Sequence, residues 1–250
     1  TWVDRWIVAS LLSIDLVGIY SVAERFASLA SIGLSVLMFI IMPHTMKLIE
    51  ARKSLADQQL SNLLRYVTVI SFAGLFLLQF ISPVFIKLLT PHFYHSAGIY
   101  VGMIGLTAIF YSLTYFSTLG SWKKNKSQHY TYSVVLGLII NVPLNFILIP
   151  IYGILGAVVA TSLAMWVTLM LSFTLSHRAH SFKFDFIRLA GSLAFGIIVL
   201  ISYVVLQSKL EHSFLPTLLV TALSIPIIVG INLKPKEIAI IIKTHPKNYF

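Results

Sequence analysis

Apolar residues in this chain fall in long unbroken runs, and polar residues gather in short connections between them. The longest run, Ser127 to His177, contains no Asp, Glu, Lys or Arg. One bilayer crossing takes roughly 20 apolar residues, so this run is long enough for two. Its middle holds Pro150, which lacks an N–H and restricts the residue before it, and Gly153, which tolerates turn conformations. Together they predict a tight helical hairpin that breaks between Ile149 and Gly153. Small residues recur at Gly153, Gly156, Ala157 and Ala160, where they let a neighbouring helix come close.

The same pattern sets the rest of the chain. Residues 4–13 are too few to span and read as the second half of a helix, with a turn at Ile14 to Leu16. Spans follow at 17–43 (with an extension through about Ala51), 63–89, 97–121, 128–149, 153–176, 186–207 and 213–233. The expected fold is an all-α polytopic membrane bundle of one partial and seven full transmembrane helices. Composition agrees: the chain is 58% hydrophobic and 10% charged, with a mean hydropathy of +0.90. It begins at Thr1 with the apolar pattern already under way at Trp2, which leads to the expectation of a fragment with an upstream part missing. No basic stretch, short apolar core and small-residue cleavage site mark a signal peptide. Without cysteine, a disulfide framework, a thiolate nucleophile and a Cys-ligated metal are excluded.

A net charge of +10 raises the question of nucleic acid, and the placement of the charges answers it. Basic residues sit on alternate connections: Lys47, Arg52, Lys53 and Arg65; Lys123, Lys124 and Lys126; Arg178, Lys183 and Arg188; and Lys234, Lys236, Lys243 and Lys247 in the tail. The intervening connections hold only Lys87 and Lys209. This is the positive-inside pattern of a membrane protein, which puts the basic connections and the C-terminus in the cytoplasm. No basic cluster is interleaved with stacking aromatics, so no nucleic-acid partner is expected.

Arg5 and Arg25 are the two basic residues left inside expected spans. At 1.5 Å per residue they lie roughly 12 and 13 Å from the outer ends of consecutive helices. Each has an acid beside it, Asp4 and Glu24. Adjacent residues point in different directions on a helix, so the expected partners are Asp4 with Arg25 or Glu24 with Arg5. An ionisable side chain at this depth costs about 2.5–3.5 kcal/mol on insertion scales, so these four should face the bundle interior or a wet cavity. Two interhelical ion pairs that fix packing are one reading. The other is a polar cavity for an anionic substrate lined by Arg5 and Arg25, whose planar forks suit phosphate or diphosphate. Asp4 or Glu24 would then couple transport to a proton or cation.

Other candidates carry less chemistry. Asn141 and Asn145 lie one helical turn apart on one face, placed for interhelical hydrogen bonds or for lining the cavity. His92/His95 and His177/His180 have i, i+3 spacing without a third ligand, so no metal is expected. Gly98 and Gly102 form a GxxxG packing motif. Tyr66, Trp122, Tyr130 and Tyr132 near span ends fit an interfacial aromatic belt. No phosphate-binding G-x-x-x-x-G-K-[ST] loop is present.

The run Asp4-Arg5-Trp6-Ile7 followed by Val17-Gly18-Ile19-Tyr20-Ser21-Val22-Ala23 resembles the start of the C-terminal half of polysaccharide (Wzx-type) flippases. These belong to the MOP exporter superfamily, with the lipid II flippases and the MATE multidrug exporters. Leu88 to Ala97 resembles an outer connection of that family, and the most distinctive match is Asn141…Asn145…Pro150…Tyr152-Gly153…Gly156-Ala157…Ala160-Thr161. Together these matches cover most of residues 1–165. The family usually carries Tyr or another neutral residue where Glu24 stands, so a coupling role for Glu24 rests on its depth alone.

The resemblance implies the second lobe of a two-lobe MOP/MATE-like transporter, with residues 1–176 as the truncated lobe and 177–250 as two accessory helices and a basic tail. It further implies a bacterial inner-membrane flippase working by alternating access on an undecaprenyl-diphosphate-linked oligosaccharide for O-antigen, capsule or exopolysaccharide. No cofactor is implied; the partners would be that substrate, membrane lipids and the missing N-terminal lobe. A MATE-like drug/cation antiporter is the alternative, but that type resembles two six-helix lobes without the two further spans. A membrane-embedded polymerase, ligase or acyltransferase is disfavoured. Its acid–base or nucleophilic groups need an outer loop, and the outer connections are about ten residues or fewer, with only Lys87, His92, His95, Lys209, Glu211 and His212 titratable. No catalytic residue is therefore assigned.

Overall fold

Ser13 breaks the chain's first helix. Its hydroxyl accepts the Leu16 N–H at 3.3 Å, satisfying one of the donors that a helix start leaves open. The break thus falls at Leu12–Ser13, slightly before the expected Ile14 to Leu16 turn. The computed structural model describes residues 2–50, 53–209 and 214–233, and among them every regular element is helical. The order is α1 (Trp2–Leu11), α2 (Ile14–Glu50), α3 (Lys53–Leu89), a 3-10 segment (His92–Ile99), α4 (Val101–Lys123), α5 (Gln128–Tyr152), α6 (Ile154–Ala179), α7 (Phe186–Lys209) and α8 (Phe214–Asn232). The tail lysines, Arg52, Glu211 and His212 lie outside the described residues.

Among the described residues six helices, α2 to α7, are long and apolar enough to cross a membrane, so this is a multi-pass membrane-embedded protein. Both α2 and α3 are 37 residues long, or about 55 Å, and run well past the ~30 Å hydrocarbon core. α2 continues through Pro43, where a span end was expected. The expected 97–121 span is divided: residues 92–99 form the 3-10 segment, and α4 starts at Val101. Gln79 of α3 explains the division, because its amide donates to Gly98 O at 2.9 Å and accepts the Gly102 N–H. The GxxxG glycines therefore pack on α3 from either side of the break.

The hairpin expected at 150–153 is tighter than its sequence implies. Pro143 and Pro150 both lie inside α5, and Gly153 alone makes the turn, at φ 60° and ψ −134°. That φ is one L side chains rarely adopt. Pro150 is tolerated because membrane helices absorb the lost N–H bond locally. Beyond the turn, a side chain at Gly156 would run into the Leu148 backbone, and Ala157 and Ala160 are fully buried, so α5 and α6 meet closely at these small residues.

Three basic connections, at 44–65, 122–127 and 177–188, gather at one end among the described residues. The Lys183 N–H donates to Asp57 at 3.0 Å, Lys123 sits 5.6 Å from the centre of the Phe182 ring, and Arg65 and Arg188 both donate to the Asn232 carbonyl. The α1–α2 break, Tyr94 and the Gly153 turn lie at the other end, around a small core of Ile19, Ala97, Ile149 and Ile154. A larger core holds Phe72, Phe110, Leu113 and Phe116, and continues into α7 and α8 through Leu189, Leu200 and Ile228.

Candidate functional site

A one-residue step on a helix turns a side chain by about 100°, and this decides which of the four buried-depth charges meet. Glu24 faces α1 and accepts from Arg5 Nε at 2.7 Å. Arg25, one residue on, lies on the exposed face of α2 and makes no ion pair among the described residues. The expected Arg5–Glu24 pair is present. The alternative pairing of Asp4 with Arg25 is not, because Asp4 points from α1 towards α5 instead.

There Asp4 is fully buried, and its Oδ1 accepts from Asn145 Nδ2 at 3.1 Å. The same Asn145 nitrogen is 3.0 Å from the Asn141 carbonyl and 3.1 Å from Asn141 Oδ1. Asn141 in turn donates to Thr161 Oγ1 at 3.2 Å. Residues from α1, α5 and α6 thus form one polar chain inside the bundle. The helical-turn spacing of the two asparagines puts both on the buried face of α5, as the sequence indicated. Their closeness to Asp4, 141 residues away for Asn145, was not legible from spacing.

Asn145 carries an imbalance. Its amide nitrogen faces three acceptors with two hydrogens, while its Oδ1 is buried with no hydrogen-bond partner among the described residues. A buried acceptor left unmade costs about 1–3 kcal/mol. Rotating the amide by half a turn would direct Oδ1 towards Asp4 Oδ1 and Asn141 Oδ1. That arrangement needs a cation or a proton between the oxygens. It supplies a carboxylate and two amide oxygens, hard-oxygen donors of the kind a hard cation takes, while Thr161 Oγ1 meets the amide nitrogen of Asn141.

Both branches of the network border a cavity of about 160 Å3 between α2, α4 and α6. Glu24, Tyr20, Ser28, Thr107 and Thr161 are among its lining residues, so it offers a polar volume next to the Arg5–Glu24 pair and the end of the asparagine chain. At ~30 Å3 per molecule it holds several waters. Tyr20, one turn before Glu24, is buried at the junction of the two branches and feels the charges of Asp4, Glu24 and Arg5. Tyr20 and Thr161 had been read only as parts of family motifs. A tyrosine one turn from a membrane glutamate and a threonine on the facing helix are the signals that pick them out.

The rings of His92 and His95 lie 4.9 Å apart in the 3-10 segment, tilted by 56°. Among the described residues, no three His, Asp or Glu side chains gather as metal ligands. No protein-family model, curated protein or solved structure matches the chain.

Proposed function

We propose that this chain is one lobe of an ion-coupled, alternating-access membrane transporter, and that its cargo is an undecaprenyl-diphosphate-linked oligosaccharide flipped across the bacterial inner membrane. The observation that carries the transporter reading is the Asp4–Asn145–Asn141–Thr161 chain, with its orphaned Asn145 oxygen, beside a polar cavity inside an apolar bundle. Buried polar groups of this kind are costly in a membrane and mark ion and substrate pathways. The cargo class rests on the resemblance of residues 4–23 and 141–161 to polysaccharide flippases.

In this reading Asp4 is the coupling carboxylate, Asn141 and Asn145 complete an oxygen cage for a cation or position a proton on Asp4, and Thr161 holds the Asn141 amide. Glu24 holds Arg5 in place rather than carrying the ion. Arg25 belongs to a second surface. An arginine facing hydrocarbon costs about 2.5–3.5 kcal/mol, and it shares the exposed face of α2 with Ser28 and Ser31. That face is therefore covered by a second lobe, and the cargo diphosphate meets Arg25 in the space between the lobes. α8 is counted as a seventh span, and the basic end and C-terminus are placed in the cytoplasm by the positive-inside rule. The two helices beyond α6 favour a flippase over a drug/cation antiporter.

The test is Asp4→Asn, which keeps the shape and removes the ionisable group. In cells exporting the polymer, surface polysaccharide should fall at least tenfold while membrane protein levels stay unchanged. Normal polymer at normal protein level would overturn the coupling role of Asp4. Arg25→Ala under the same conditions tests the cargo contact separately.

A further inference from the structure

A second cavity, about 340 Å3, lies between α2 and α4 where α5 begins. Its volume is in the ~300–1,000 Å3 range of small-molecule sites. Eight of its lining side chains carry hydroxyls and none carries a charge. Tyr111, Tyr115, Trp122 and Tyr130 provide aromatic faces. Tyr115 and Trp122 meet edge to face at 5.2 Å, and the Thr45 hydroxyl bonds the Tyr115 phenol. Tyr115 and Trp122 are therefore held in place, while Tyr111 is 58% exposed. Trp122 and Tyr130, which from their position near span ends fit a lipid belt, instead converge on this cleft.

The hydroxyls are also arranged. Ser35, Ser112, Thr114 and Thr118 each donate to a carbonyl three or four residues earlier on their own helix. Each donor is thus used internally, and the oxygen lone pairs remain to accept from a ligand. Ser31 lines both this cleft and the cavity beside Glu24 and Thr161, so the two volumes adjoin. Trp122 is followed by Lys123, which places the cleft towards the basic end.

Three kinds of occupant differ in what they need. A hydrocarbon chain would use none of the spare acceptor capacity of these hydroxyls, which already bond their own helices, and would gain apolar contact alone. The groove of about 380 Å3 between α4, α6 and α7 is a contrasting surface, with Ser162 as the only hydroxyl in its lining. An anionic group needs a cation, and the cleft has none. An uncharged sugar needs what is present, aromatic faces for its C–H surface and acceptors for its hydroxyl rim.

We infer that the α2–α4 cleft binds uncharged pyranose units, stacked against Tyr111 and Trp122, and selects them over acidic sugars. This assigns the sugar class of the cargo and rests on the oligosaccharide reading above. Arg25 and the oxygen cage deal with charge; the cleft deals with uncharged sugar.

The test is direct binding to the purified chain in nanodiscs of uncharged lipid, read by saturation-transfer NMR. The probes are maltotriose and N,N′,N″-triacetylchitotriose, with trigalacturonate as the acidic counterpart. At least one neutral trisaccharide should bind, at least fivefold more tightly than trigalacturonate. Tyr111→Ala should weaken it at least fivefold with circular dichroism unchanged. Tyr111→Phe, which keeps the ring, should retain most of the binding, and Trp166→Ala in the α4–α6–α7 groove should leave it intact. Failure of both neutral probes to bind the folded wild-type chain, equal binding of trigalacturonate, equal loss in Trp166→Ala, or displacement by decanol would each overturn the proposal. The Asp4→Asn variant separates the two readings: it should bind the neutral sugar normally while failing to support export. Export surviving Asp4→Asn with sugar binding intact overturns the coupling role and leaves the sugar site standing.

Discussion

α2 and α4 are neighbours in one bundle, and their burial runs opposite to their hydropathy. The most apolar 18-residue stretch of α2 has a mean hydropathy of 2.1 and is 11% buried; that of α4 is 1.3 and 78% buried. In water the order would be reversed, because the hydrophobic effect sends the more apolar helix inside. In a bilayer, lipid solvates apolar side chains as well as a protein core does, so helix association depends on packing and hydrogen bonding instead. α4 accordingly buries Ser112, Thr114, Ser117, Thr118 and Ser121 at the centre, while α2 exposes Ile32, Phe39 and Ile40. The pattern also isolates what is unusual. Arg25 sits on the exposed apolar face, and Asp4 sits where even α4 carries no charge.

The sharpest way to break this comparison is to cut one large apolar side chain from each helix. Phe116→Ala on α4 removes a fully buried ring and is expected to cost about 3–5 kcal/mol. Ile32→Ala on α2, at 59% exposure, is expected to stay within about 0.5 kcal/mol. Unfolding titrations in mixed micelles measure both, and comparable losses would mean that α2 is packed against a surface not visible within this chain. Gly156→Val comes next. The added carbons meet the Leu148 backbone, which has no rotamer to move, and overpacking of that sort costs about 1–3 kcal/mol. Asn145→Ala should cost a similar or smaller amount by removing a donor from buried Asp4, about 1–3 kcal/mol. Arg25→Ala, by contrast, should leave the stability of the isolated chain nearly unchanged, since no ion pair is lost. A destabilised Arg25→Ala would place Arg25 in a structural pair and weaken its assignment to cargo.

How far these contrasts were legible depends on the kind of information involved. The hairpin, the small-residue face of α6 and the gathering of basic connections follow from local composition; the structure shows the hairpin with its turn at Gly153, the small-residue face, and three of the basic connections together. The Arg5–Glu24 pair was one of two offered by the depth argument, and only rotation about α2 chose between them. Asp4 meeting Asn145 needed the tertiary path, because no spacing rule links α1 to α5. Pro150 misled because its usual effect, breaking a helix, is muted in a membrane, where Gly153 alone turned the chain. The α2–α4 cleft was hidden for a different reason. Serines and threonines that bond their own helix carbonyls are common in membrane helices, and only the convergence of Tyr111, Tyr115, Trp122 and Tyr130 shows that these ones share a cavity.

A last, small loss tests the premise of the comparison, that buried hydroxyls help to hold α4. Ser117 Oγ is 2.7 Å from the Thr114 carbonyl and 2.8 Å from Ser172 Oγ on α6, so its single hydrogen is shared between its own helix and the neighbour. A shared hydrogen gives the interhelical bond only part of its full strength. Interhelical side-chain bonds measured in membranes average about 0.6 kcal/mol and reach about 1.7. Ser117→Ala should therefore cost about 0.6 kcal/mol, and a Ser117→Ala/Ser172→Ala cycle should return a coupling of the same size. Ser28→Ala on exposed α2, where the hydroxyl only meets the Arg25 carbonyl, should cost less than either. A coupling above about 2 kcal/mol would mean that α4 is held mainly by its hydroxyls. A coupling near zero would assign the hold to Phe110, Leu113 and Phe116, and the buried hydroxyls of α4 would then be kept for the cavities they line.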